Sequence, residues 1–164
     1  MNPFEQNLNM NFDALVLEGG SLKCAFTAGI LDVLMDSDFP EFKYYYGVSS
    51  GSMAMSYLLS KQRSNFIKVT RALVEDPNFI SYRNTFSQQG LMNLDFLQGY
   101  VHDTYPFDEE AADRNSEGKK VCIVATDHHS GKPHYLTPSK GKWLNYMMAS
   151  ATLPFITKGR TKVD

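Results

Sequence analysis

The residues best placed to do chemistry are Gly47-Val48-Ser49-Ser50-Gly51, where Ser49 stands midway between two glycines. A G-x-S-x-G pattern suits a nucleophile. Serine at the apex of a sharp strand-to-helix turn holds its hydroxyl out from the sheet edge, and the flanking glycines let neighbouring backbone pass close by. A helix starting there turns its N-terminal N–H groups, and the positive end of its dipole, toward a developing oxyanion. The same stretch also reads as a small-residue turn with Ser49 or Ser50 as a helix N-cap. The flanks favour the nucleophile: aromatic, β-favouring Tyr44–Tyr46 precede it, and Met53, Ala54, Tyr57 and Leu58 follow at helical spacing.

A second candidate is Glu18-Gly19-Gly20-Ser21-Leu22-Lys23-Cys24, after the apolar run Ala14–Leu17. It lacks the G-x-G-x-x-G of a dinucleotide site, and it lacks the Lys-Ser/Thr pair that ends a phosphate loop. What remains is a turn whose backbone N–H groups face the same sheet edge as Ser49. That is the arrangement of an oxyanion hole, where each well-placed donor contributes roughly 3 kcal/mol. Without Ser49 nearby, the loop would read as a strand-to-helix turn needing positive φ.

His128, His129 and His134 raise the question of a metal or a triad. In extended backbone, adjacent His128 and His129 would point opposite ways, which is poor ligand geometry. Ser49, Asp127 and a later histidine have the chain order of an α/β-hydrolase triad. That fold, however, sets several strands before its nucleophile, and here only Ala14–Leu17 precedes it. The histidines are therefore expected to be dispensable, and no metal or cofactor is implied.

The elements that must position these residues alternate. Ala14–Leu17 reads as a buried parallel strand, followed by a helix with Phe26, Ile30, Val33 and Leu34 on one face that stops near residues 36–40. The Tyr44 strand and its helix complete β-α-β-α, which predicts a mainly parallel sheet sandwiched by helices, with the site at the strands' carboxyl ends. Residues 61–76 continue helically to Pro77, with Phe66, Val69 and Leu73 among the apolar positions. Residues 78–89, with Tyr82, Arg83 and Phe86, read as an irregular lid or substrate-facing flap. A short helix over 93–102 has Asn93 as N-cap, and residues 108–113 form the acidic first turn of another. Lys120–Thr126 is a second buried strand, His134–Leu136 a shorter one, and 127–131 the turn between them. Trp143, Tyr146, Met147 and Ser150 lie on a further helix as core packing. Residues 1–12 read as a loose lead-in and 13–164 as one domain.

Composition narrows the class. The 164 residues are 43% hydrophobic and 21% charged, with a net charge of −2, so no basic field suggests nucleic acid. Two cysteines, Cys24 and Cys122, are too few for a disulfide framework and point to a reducing cytoplasm. The polar start, MNPFEQNLNMNFD, lacks the blocks of a signal peptide. No apolar run nears the ~20 residues of a membrane span, so any membrane contact is expected to be peripheral.

Three stretches taken together, Glu18–Gly29, Ser49 within GVSSG, and Ala149-Ser150-Ala151-Thr152-Leu153-Pro154-Phe155, resemble in order three signatures of the patatin-like phospholipases, closest to bacterial members with an LEGG-type loop. In that family a G-G-G-x-[KR]-G loop supplies oxyanion amides, G-x-S-x-G carries the nucleophile, and an S-A-x-x-P-x-F block lies beneath the site. The resemblance implies a patatin-like α/β fold and serine-dependent hydrolysis of a lipid acyl ester. Ser49 would be the nucleophile, Gly19, Gly20 and Ser21 the oxyanion loop, Lys23 the basic position, and Gly47 and Gly51 the elbow glycines. Two positions depart from the pattern: Ser21 replaces the third glycine and Cys24 the last. The family's base is an aspartate in D-G-[GA], and no Asp-Gly occurs in the 164 residues. The base is thus expected beyond Asp164, after a hairpin whose first arm is Thr161–Val163, and the chain as given is expected to be poorly active. The rival reading is a catalytically silent lipid- or partner-binding domain.

Overall fold

In the computed structural model, the described residues are 12–37, 41–81, 90–154, 156–159 and 161–163. Strand β1 (Ala14–Leu17) leads through a 3₁₀ turn, Ser21–Lys23, into α1 (Cys24–Met35). Then come β2 (Tyr44–Val48), α2 (Ser50–Leu59), α3 (Asn65–Glu75), α4 (Leu94–Thr104), α5 (Glu109–Ser116), β3 (Lys120–Thr126), β4 (Pro133–Leu136) and α6 (Trp143–Ala151). The sheet order is β1-β2-β3-β4, with the first three strands parallel and β4 antiparallel to β3. The chain is α/β with a mainly parallel sheet flanked by helices.

Register decides which side chains meet the helices. Leu17, Gly47, Ile123 and Leu136 lie in one row across the sheet, on the face where α2 packs on β2 and α6 on β3. Ile123, Met55 and Trp143 are fully excluded from solvent at this interface between layers. The opposite face carries exposed Val16, Tyr44, Val48 and Tyr135. Ala14–Leu17 is therefore less buried than its apolar run suggests. It is an edge strand, and Val16 is 68% exposed.

Most of the apolar face expected of the first helix also turns outward, and of its four residues only Leu34 packs partly against the core. Phe26, Ile30 and Val33 are exposed, whereas Cys24, Ala28 and Leu31 are buried. Periodicity located an apolar stripe but not the side that packs. Small side chains let α1 approach α2 closely, and the Ser50 hydroxyl reaches Cys24 Sγ at 3.0 Å.

The helix expected from Lys61 begins only at Asn65. Lys61 and Ser64 have φ of 57° and 62°, which ends α2 and re-aims the chain. The Asp32 carboxylate holds that corner, accepting from the Ser64 N–H and hydroxyl, each at 2.9 Å. Asn93 caps α4 by accepting from Phe96 N–H, and Asp108 caps α5 by accepting from Ala111 N–H. Thr161–Val163, expected to begin a hairpin, form no strand. Tyr82, Arg83 and Phe86, on which the expected lid rests, lie outside the described residues.

Candidate active site

Ser49 sits between β2 and α2 with φ 52° and ψ −129°. A non-glycine residue in that conformation costs on the order of 1–3 kcal/mol and persists only where its surroundings hold it. Those surroundings explain both glycines. A Cβ on Gly47 would stand 2.5 Å from Ser52 Cα, and one on Gly51 would stand 2.6 Å from the Leu17 carbonyl oxygen. Both are closer than real Cβ contacts allow, so the elbow closes only with hydrogen at each position.

The elbow is also held from below, across 101 residues of sequence. Ser49 N–H donates to Ser150 Oγ at 2.6 Å, and the Ser150 hydroxyl donates to the Val124 carbonyl at 2.5 Å. One buried hydroxyl thereby ties the Ser49 turn to β3 through α6. The resemblance set the block of Ser150 beneath the site, but nothing in its spacing showed that Ser150 bonds Ser49.

The glycine loop lies directly against Ser49. A Cβ on Gly19 would come within 2.9 Å of Ser49 Cβ and 3.7 Å of its Oγ. Gly20 N–H donates to Ser50 Oγ at 3.2 Å, the Ser50 hydroxyl donates to Cys24 Sγ, and Cys24 Sγ donates to the Glu18 carbonyl at 3.6 Å. The two departures at Cys24 and Ser21 have visible consequences. Cys24 completes this relay with its thiol, and Ser21 takes φ 51°, the left-handed conformation that glycine adopts freely. Ser21 and Leu22 open the 3₁₀ turn, so their amides have no carbonyl partner within it. Lys23 is exposed at the end of that turn.

Beside Ser49 lies a partly open cavity of about 430 Å³. Gly19, Ser21 and Ser49 line it at the loop, and α2, α3, α4 and α6 wall it with Met53, Leu73, Leu97, Val101 and Met147. Polar groups are few along it, chiefly Thr70 and Gln98, so the interior suits a hydrocarbon chain. Tyr57 also lines it, and burial pushes its phenol up to about 12.

The histidines stand apart from this arrangement. His128 and His129 lie in a turn rather than in extended backbone, so their rings do not diverge as expected but meet edge-to-face at 5.5 Å. Both are exposed, as is His134. Asp127 is engaged locally, accepting from the Ser130 hydroxyl at 2.6 Å and from its N–H at 2.7 Å, and the hydroxyl bond foremost lowers its carboxyl below the usual range. Among the described residues, no three His, Cys, Asp or Glu side chains are grouped to hold a metal.

Comparison with known proteins gives a match to the patatin-like phospholipase family over residues 15–164. The chain belongs to that family. The patatin-like chain is also 30% identical over 142 residues to an uncharacterized protein of Escherichia coli K12, YjjU, covering 86% of this chain and 40% of that protein. It thus spans two-fifths of the length of that curated relative. Among its described residues, no helix is long and apolar enough to cross a membrane.

Proposed function

We propose that this patatin-like domain hydrolyses an acyl ester of a lipid through Ser49. The observation that carries the reading is the strained Ser49 elbow opening on a 430 Å³ apolar cavity. Ser49 Oγ attacks the ester carbonyl carbon while its proton passes to a carboxylate base. Amides of the Gly19–Ser21 loop donate to the resulting oxyanion, with Gly20 exchanging its bond to Ser50 Oγ to take part. The alcohol departs with a proton, and water then attacks the acyl-serine carbonyl to release the acid and restore Ser49.

The base in this proposal is an aspartate of an Asp-Gly motif that the 164 residues do not contain. Two observations support it. Among the described residues no carboxylate or imidazole bonds Ser49 Oγ, and Asp127 is engaged by Ser130 instead. Contact with a bilayer would be peripheral. A form extended through the Asp-Gly motif should label with a fluorophosphonate at Ser49 and lose both labelling and ester hydrolysis on Ser49→Ala. His128→Ala, His129→Ala and His134→Ala should retain most of the activity. Rapid labelling of the 164-residue chain itself would move the base to Asp127 or Asp164.

The Gly20–Ser50 bond favours a second reading, a lipid-binding domain without hydrolysis, because it occupies one of the donors an oxyanion needs. Fatty-acid binding without fluorophosphonate labelling of the extended form would decide for it.

A further inference from the structure

The walls of the cavity have a direction. Along α2, Ser50 and Met53 line it near Ser49, and Tyr57 comes eight residues after Ser49, about 12 Å away at 1.5 Å per residue. Helix α4 keeps the same sense: the Ser21 hydroxyl reaches Met92 Sδ at 3.9 Å just before it, and Tyr57 OH donates to the Tyr105 carbonyl just after it. Helix α6 runs the other way. Its Ser150 end holds Ser49, while Trp143 at its start packs on Phe107, 5.9 Å between ring centroids. Helix α3 brings Phe66 to the same far end. Tyr57 packs on Phe66 at 6.0 Å and on Phe107 at 5.6 Å, so three rings gather in the cavity wall at the end away from the serine.

We infer that the cavity is a slot for a single acyl chain of about ten to fourteen carbons, with Tyr57 as the floor that sets the length. The inference rests on the acyl-ester reading of Ser49 and specifies its substrate. Two measures bound the chain. An extended chain advances about 1.2 Å per bond, as a backbone does in covering 3.3–3.6 Å with three bonds, so 12 Å takes about ten bonds. A methylene is close in size to a water molecule, whose share of liquid is about 30 Å³, so 430 Å³ holds about fourteen. A second chain of that length does not fit beside the first. The substrate class is therefore an ester presenting one medium-length chain at a time.

The test separates the slot from the chemistry by using the Ser49→Ala chain, which needs no catalysis. Displacement of a fluorescent fatty acid by saturated fatty acids of increasing length should show affinity rising up to about fourfold per methylene. The rise should stop near fourteen carbons. Tyr57→Ala should move that break to longer chains, while Tyr57→Phe, which keeps the ring, should leave it in place. A merely structural role for Tyr57 would lower affinity at every length without moving the break. If Tyr57→Ala does not fold, Val101→Phe fills the slot from α4 and should shift the break to shorter chains. Affinity rising without a break through eighteen carbons would overturn the inference, as would a break that neither substitution moves. Length-dependent binding without hydrolysis by the extended form would leave the slot standing and remove the serine-hydrolase reading. Hydrolysis with no length dependence would do the reverse.

Discussion

Ser150 Oγ accepts the Ser49 N–H at 2.6 Å and donates to the Val124 carbonyl at 2.5 Å, so a single side chain satisfies two backbone groups on different elements. Ser150→Ala removes both bonds at once. Leaving buried backbone groups unpaired costs about 1–3 kcal/mol each when no water replaces the partner. Thermal unfolding of the 164-residue chain should show a clear loss of stability. In the extended form, labelling at Ser49 should slow although every reacting group is present. An unchanged melting temperature would mean the elbow holds its conformation without this tie.

The glycines divide into two kinds, and methyl substitution should separate them. Gly51→Ala puts a methyl into the Leu17 and Glu18 carbonyls, and Gly47→Ala puts one into Ser52. The atoms met are backbone and cannot swing aside, so both variants should be severely destabilised or fail to fold. In α1 and α4, a methyl added at Gly29 or Gly99 meets nothing within 4 Å. Those two substitutions should each stabilise by about 0.5–1 kcal/mol, since alanine loses less backbone freedom in a helix. Chemical denaturation of the four variants checks both halves of the contrast.

The contrast also shows what the sequence could and could not reveal. Ala14–Leu17 and, within Lys120–Thr126, Val121–Ala125 are continuous apolar runs, and both strands were legible at their observed limits, although only the second is largely buried. The serine elbow was legible as a pattern because both glycines answer close backbone approach, local at Gly47 and from β1 at Gly51. The outward stripe of Phe26, Ile30 and Val33 was not. Spacing gives a helix a face but does not say which neighbour that face meets. Nor could local spacing show Ser150 beneath Ser49, or four helices converging on one cavity. Those relations join residues far apart in the chain and exist only once the sheet is assembled.

Ser21 carries a local conflict of its own. Its φ of 51° suits glycine, and a left-handed non-glycine residue costs roughly 1–2 kcal/mol. Ser21→Gly should therefore leave stability equal or higher, with part of the relief offset by the greater freedom of glycine in the unfolded chain. Hydrolysis by the extended form should likewise be equal or higher. By contrast, a β-branched residue at Gly20 should lower kcat about 100-fold or more by displacing the donors around Ser49. A large loss on Ser21→Gly would assign the serine side chain a role beyond its contact with Met92.

Tyr57 offers a pH test of whether the far end of the cavity is closed. Burial raises its phenol to about 12, against roughly 10 for an exposed tyrosine, because the ionised form would sit among Phe66, Phe107 and the helices around them. The sign follows from the raised folded value. The contribution of neutral Tyr57 to stability is fully present below about pH 10 and is lost as pH rises through about 12. Subtracting the tyrosinate absorbance titration of Tyr57→Phe from that of the parent should isolate one phenol ionising well above the exposed tyrosines. The parent's stability should fall more steeply than that of Tyr57→Phe across the same window. A difference curve centred near pH 10 would mean that water reaches the ring, and the floor of the slot would then be open.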